Sequence, residues 1–154
     1  MQAITIEHEG YIITTDKSLL KPEQIHLWLS TEAYWSKDIP YSLVKQAFDH
    51  SFCIGILKGE KQIGYARLVT DYASFGYLAD VYILEEHRGK GLSKKMLSVI
   101  MELEWVKGLR RIMLATLDAH ELYKQMGFVG TAFPERFMEI NRPAIYESTT
   151  SSLS

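Results

Sequence analysis

The sequence predicts an α/β chain of the α+β kind, with one mixed central sheet and helices on both of its faces. Three observations predict this. Strand-like and helix-like segments interleave over 154 residues in the order ββαα-βββ-αβαββ, an order that favours a single sheet wrapped by helices. Ile63, Tyr65 and Arg67 alternate with Gly64, Ala66 and Leu68, as in a strand whose two faces differ. Leu92, Met96, Val99, Ile100, Leu103 and Val106 recur at helical spacing and lay one apolar stripe on the sheet.

The elements follow in order. Residues 3–8 and 11–15 flank Glu9-Gly10 and read as a small hairpin. Pro22 suits the first turn of a helix, and Ile25, Leu27, Trp28 and Leu29 carry that helix to about Ala33. A loop from Tyr34 to Pro40 precedes a second helix over residues 42–49. Residues 52–57 and 62–70, joined by Lys58-Gly59-Glu60-Lys61, form a second hairpin, and residues 75–84 a further strand. The long helix spans residues 92–106 and ends at Gly108. Residues 110–115 read as a buried strand. Asp118 with Glu121 resembles a capping box for the next helix. That helix ends at Gly127, Phe128 begins a strand, and residues 136–140 read as a last one. Residues 1–147 read as one domain and 148–154 as a polar, disordered tail.

Bulk properties exclude several classes. The length suits one domain with a real core. A net charge of −2 argues against broad electrostatic binding to nucleic acid or an anionic membrane. A single cysteine, Cys53, rules out an internal disulfide and a cysteine-based zinc site; between Phe52 and Ile54 it reads as a small buried hydrophobe. The five histidines lack metal-ligand spacing, so no metal site is expected. No signal peptide or bilayer-spanning run is evident, which makes the expected location cytoplasmic.

Chemistry concentrates between Asp80 and Lys95. An apolar strand runs into a glycine turn and then a helix whose start carries Arg88, Lys90, Lys94 and Lys95. Helix N-termini carry partial positive charge and unpaired N–H groups, so four cations there are unfavourable unless an anion binds. Gly89 and Gly91 let the backbone approach that anion. The pattern therefore points to a phosphate-bearing ligand. It is not a Walker A loop, because Leu92 follows Gly91 where lysine is needed. Nor is it a dinucleotide fingerprint, because Lys94 stands at the third glycine. ATP and NAD are thereby disfavoured.

What remains is Arg-x-x-Gly-x-small, at Arg88, Gly91 and Ser93, and it resembles the pyrophosphate motif of the GNAT acetyltransferases. Downstream, Leu122-Tyr123-Lys124-Gln125-Met126-Gly127-Phe128 resembles the same family's Leu-Tyr-x-x-x-Gly-Phe element. The resemblance covers roughly residues 52–140. It departs from the family pattern at Glu85, where many relatives have Pro, at Ser93, where Gly or Ala is usual, and at Thr116, where an Asn usually contacts the pantetheine arm.

The resemblance implies a GNAT-like, mainly antiparallel mixed sheet and an acetyl-CoA-dependent N-acetyltransferase. Acetyl-CoA would be the acetyl donor and a primary amine the acceptor, a small cationic metabolite ahead of the alternatives, protein N-termini or lysines. Carried over, backbone N–H groups of Arg88, Gly89, Lys90, Gly91, Leu92 and Ser93 surround the pyrophosphate. Val81, Tyr82 and Ile83 pair with the pantetheine arm, and Thr116 stands at the arm contact. Tyr123 is the candidate general acid; a phenol near pKa 10 protonates a thiol near 8.5 once thiolate has begun to form. Asp80 is the candidate base, directly or through water. It also has two other readings, as a site for the substrate cation or as the partner of Arg67. Tyr82 and solvent are the other routes for the amine proton. Tyr34, Trp35 and Arg67 are candidates for the acceptor side, where Asp38, Asp71 and Asp80 suit a cationic amine. A homodimer through the late strands is common in the family. The competing reading is a CoA-binding regulatory or partner-binding module without turnover.

Overall fold

A computed structural model describes residues 1–147; the tail expected at 148–154 lies outside the described residues. Six strands form one sheet in sequential order: Thr5–His8 (β1), Tyr11–Thr14 (β2), Phe52–Lys58 (β3), Lys61–Thr70 (β4), Phe75–Ile83 (β5) and Arg111–Met113 (β6). The first four pairings are antiparallel and β5–β6 is parallel. Connection length explains the difference. Short turns close antiparallel pairs, and Glu9-Gly10, both at positive φ, make the two-residue turn that β-hairpins prefer. A parallel pair needs a long crossover, which residues 84–110 supply.

The helices are Pro22–Thr31 (α1), Tyr41–Asp49 (α2), Leu92–Met101 (α3), Glu104–Lys107 (α4) and His120–Gln125 (α5). Trp28 of α1 stacks on Tyr82 and Phe48 of α2 stacks on Tyr65, so both helices cover the sheet face that bears those tyrosines. Ile54, Ile56, Ala66 and Leu68 point the other way and are fully buried. Helix α3 packs on β3 and β5 through Leu92, Met96, Leu97 and Ile100. Cys53 is buried between the strands and α2, with its Sγ 3.3 Å from the Tyr65 hydroxyl.

Four sequence expectations need correction. The helix read over 92–106 is two helices, because Leu103 takes an extended backbone between α3 and α4. That turn carries Trp105 onto Phe52 and Tyr72. The strand read over 110–115 is only three residues and half-buried, because β6 leaves β5 after Met113. Asp118 does not cap α5; Ala119 occupies the cap position, and its N–H donates to the Thr116 hydroxyl at 3.0 Å. Among the described residues no strand follows Phe128, and residues 134–136 form a 3-10 turn beginning at Pro134.

One irregularity positions the site. Tyr65 lies opposite Tyr82 and Arg67 opposite Ala79, so Asp80 and Val81 together face Ala66 across the ladder. This is a β-bulge, and Asp80 holds φ at 56°, a conformation that Asp adopts more readily than most residues. The bulge bends β5 just beyond the point where β6 parts from it.

Candidate active site

The parting of two strands makes the principal cleft. β5 and β6 pair only at Phe75–Arg111, Gly76–Ile112 and Tyr77–Met113. Beyond that the chain from Ala115 to Ala119 swings away from the second half of β5. The opening is a cavity of about 550 Å³ lined by both segments, with Tyr34, Trp35, Arg67 and Tyr123 at its walls. Parallel strands normally bury their shared edge, so this opening exposes strand backbone over Leu78–Val81 to a ligand.

Asp80 stands in the cleft at the centre of a network. The Arg67 Nε donates to Asp80 Oδ2 at 2.6 Å, and the Trp35 indole N–H donates to Oδ1 at 2.9 Å. Arg67 also donates to the Ser51 hydroxyl at 3.1 Å. Of the alternatives left open for Asp80, pairing with Arg67 is therefore present in the structure. Tyr34 is exposed, edge-on to the Trp35 ring. Asp118 also lines the cleft, whereas Asp38 and Asp71 are not among its lining residues. Asp71 instead accepts the Ser74 hydroxyl and the N–H groups of Ser74, Ala73 and Phe75 at the β4–β5 turn, which together hold its carboxyl well below the usual range.

Tyr123 is 9% exposed, lines the cleft, and is held edge-on against Phe128. Burial, and secondarily the Asp118 charge, push its phenol above the ordinary value, so it keeps its proton at neutral pH. Thr116 lines the same cleft while its hydroxyl accepts from Ala119. Tyr82 is placed elsewhere. Its ring lies under Trp28, its hydroxyl is buried without a hydrogen-bond partner, and burial with the nearby Glu32 pushes it up to about 12. Tyr82 and Ile83 do not line the cleft; Val81 does.

At the end of β5 a 3-10 turn, Glu85–His87, leads into the glycine loop. Gly91 caps α3 at φ 73°, and no side chain caps the helix start. A Cβ on Gly89 or Gly91 would touch nothing within 4 Å, so glycine is required there by backbone conformation, beneath open space. The first-turn N–H groups of α3 have no acidic side chain in that turn to face. Arg88 behaves differently from the sequence reading. Its N–H donates to the Glu85 carbonyl, and its Nε donates to the Ile83 carbonyl at 2.8 Å. Arg88 is thus a strut that fixes the loop to β5, and the open donors begin at Gly89. Lys90 reaches the Tyr11 hydroxyl at 3.4 Å, and that hydroxyl sits 2.8 Å from His87 Nδ1. Tyr11 and Ser51 were not singled out from the sequence, because their partners lie far along the chain and neither residue type is distinctive.

An uncapped glycine helix start at the mouth of an opened parallel pair is a pattern that comparison can test. The sequence profile of the Acetyltransferase (GNAT) family matches residues 22–128. The chain belongs to the GNAT acetyltransferase family. A GNAT-family structure from Xanthomonas campestris pv. campestris superimposes with a TM-score of 0.86 at 45% identity, over 92% of this chain and 98% of that one. A Gibberella zeae protein classed among the acetyltransferases is 34% identical over 138 residues, covering 76% of this chain and 78% of its own length. The thialysine N-epsilon-acetyltransferase of Bos taurus is 33% identical over 94 residues, which span 52% of this chain and 55% of that protein. As a GNAT acetyltransferase the chain is an acyl-transfer enzyme, and its family generally uses acetyl-CoA. Among the described residues, no helix is long and apolar enough to cross a membrane.

Proposed function

We propose that this chain moves an acetyl group from acetyl-CoA to a primary amine, a small cationic metabolite, by direct attack in a ternary complex. The observation that carries the reading is the parting of β5 from β6 beside the uncapped start of α3. One ligand with a pyrophosphate and an extended amide arm would use both features. The pyrophosphate would meet the N–H groups from Gly89 to Ser93. The arm would lie along Val81 and its neighbours Tyr82 and Ile83, offering amides to the open strand edge. Thr116 can still donate its hydroxyl towards that arm.

In the transfer the neutral amine nitrogen attacks the thioester carbonyl carbon. The C–S bond breaks, and the departing sulfur takes the Tyr123 proton. A strand N–H near Val81 would polarise the carbonyl oxygen. The amine proton leaves to a base or to solvent. Asp118, which lines the cleft with no cationic partner among the described residues, supports a cationic acceptor. The name of the thialysine relative supports an amine. A thermal-shift series with acetyl-CoA, CoA, ATP and NAD tests the cofactor. A ligand that binds only the folded state at a hundredfold over Kd adds about 2.7 kcal/mol of stability. A shift with acetyl-CoA and CoA alone supports the reading; no shift at millimolar acetyl-CoA removes it.

A further inference from the structure

We infer that Asp80 is a latch that holds the 34–36 turn over the acceptor end of the cleft, positioning the amine through Trp35 instead of taking its proton. The inference rests on an amine binding in this cleft, and it deepens that reading. Three observations carry it. Both carboxylate oxygens are already acceptors, Oδ2 from the Arg67 Nε at 2.6 Å and Oδ1 from the Trp35 indole at 2.9 Å. Protonating Asp80 would remove the negative charge that the Arg67 guanidinium is paired with. Arg67 is itself anchored by Ser51, so the pair is fixed to β4 and to the start of β3. Finally, the bulge that gives Asp80 its positive φ turns this carboxylate towards both donors. A strained, doubly held side chain is built for position.

The turn has two roots. Ser36 donates to the Leu29 carbonyl at 2.7 Å and, just beyond, the Asp38 N–H to the Ser30 carbonyl at 3.0 Å, which ties the turn to α1. Trp35, 43% exposed, ties it to β5 through Asp80. Without the bond to Asp80, the turn keeps only the α1 root, and its wall of the cleft is free to swing. Trp35 and Tyr34 then no longer define the acceptor end, while the glycine loop is untouched. The amine proton, on this account, passes to water in the open cleft.

Two variants test the latch. Trp35→Phe keeps the ring and removes the donor. Asp80→Asn keeps Oδ1 as an acceptor and suits the positive φ. Amide hydrogen exchange over residues 33–39 comes first, because it needs no acceptor. In Trp35→Phe that segment should exchange about tenfold faster, the worth of one hydrogen bond to a charged group, while β3 and β4 stay unchanged. Unchanged exchange there overturns the latch. Kinetics with thialysine as the probe amine come second. Trp35→Phe should raise the amine KM about tenfold and change kcat by less than about threefold. The acetyl-CoA Kd should stay constant. In Asp80→Asn, kcat should fall by no more than about tenfold, whereas loss of a base costs about 100-fold or more. A loss of that size, with no KM effect in Trp35→Phe, overturns the proposal and makes Asp80 the base. Failure of the wild type to acetylate thialysine or other amines would count against the proposed activity, and the exchange result would still decide the latch.

Discussion

The two ends of the cleft are built from different materials. The end towards α3 is backbone: a glycine loop at positive φ, an uncapped helix start and an open strand edge, all between Leu78 and Ser93. The end towards α1 is side chain: Trp35, Ser51, Arg67 and Asp80, contributed by four separate segments and joined by three hydrogen bonds. A backbone site can present N–H groups to any phosphate of the right shape and keep its sequence constraints in a few glycines. A side-chain site can be changed one residue at a time. The difference suggests a division of labour within the proposed reaction, with a fixed donor end and an adjustable acceptor end.

The sharpest break should come at the seam. Tyr123 touches both ends, and Tyr123→Phe should lower kcat by about 100- to 1000-fold if its proton goes to the leaving sulfur. Acetyl-CoA binding by calorimetry should stay the same, and equal losses in both would return Tyr123 to a packing role. The pH profile adds a sign. Burial and Asp118 raise the phenol pKa, so the protonated acid persists above its usual titration near pH 10. Activity should therefore climb with the neutral-amine fraction and show no basic limb below about pH 10. Asp118→Asn removes one of the two causes and should draw any basic limb to lower pH.

The donor end is tested by a matched pair of glycines. Gly91 and Gly59 both hold positive φ, 73° and 61°, with nothing within 4 Å of a built Cβ. A valine at either position meets a left-handed penalty of about 1–2 kcal/mol, and thermal melts should fall alike. Only Gly91→Val should also weaken acetyl-CoA, by about tenfold, because only Gly91 lies in the proposed pyrophosphate site. Equal affinity in the two variants would detach the loop from the cofactor.

The same contrast decides what could be read from the sequence. The hairpins over residues 52–84 were legible almost to the residue, because alternation and glycine turns are local. The glycine loop was legible because backbone chemistry needs particular residues in a row. The Trp35–Asp80–Arg67–Ser51 network was legible only as one alternative for Asp80, since Trp35 and Asp80 lie 45 positions apart. The bulge was invisible, because nothing in Ala79-Asp80-Val81 departs from an ordinary strand. The sequence named both Asp80 and Tyr82 as routes for the amine proton, whereas Asp80 enters the cleft and Tyr82 goes beneath Trp28. The break at Leu103 was hidden by an apolar stripe that continues through it without Gly or Pro. The strands expected after Phe128 carry a strand-like pattern. Pattern alone does not make a strand without a partner, and Met138 and Ile140 are exposed.

Two smaller effects would sharpen the contrast further. Thr116→Val removes the acceptor for the Ala119 N–H. It should lower stability by about 1 kcal/mol, the usual net worth of one intramolecular hydrogen bond. It should also raise the acetyl-CoA KM about three- to fivefold if the hydroxyl also touches the arm. Lys90→Ala should do least. Its ammonium is held at the loop by the Tyr11 hydroxyl, and it is one of the cations a charge-based site would depend on. A solvated cation paired with a phosphate contributes well under 1 kcal/mol, so the Kd should rise only about two- to threefold. That effect should fade between 50 and 500 mM salt as the Debye length shrinks to several ångströms. The Gly91→Val effect should survive the same salt, because strain and N–H geometry are not screened. If Lys90→Ala instead matches Gly91→Val in size, the donor end works by charge, and the distinction between its backbone and the acceptor end's side chains fails.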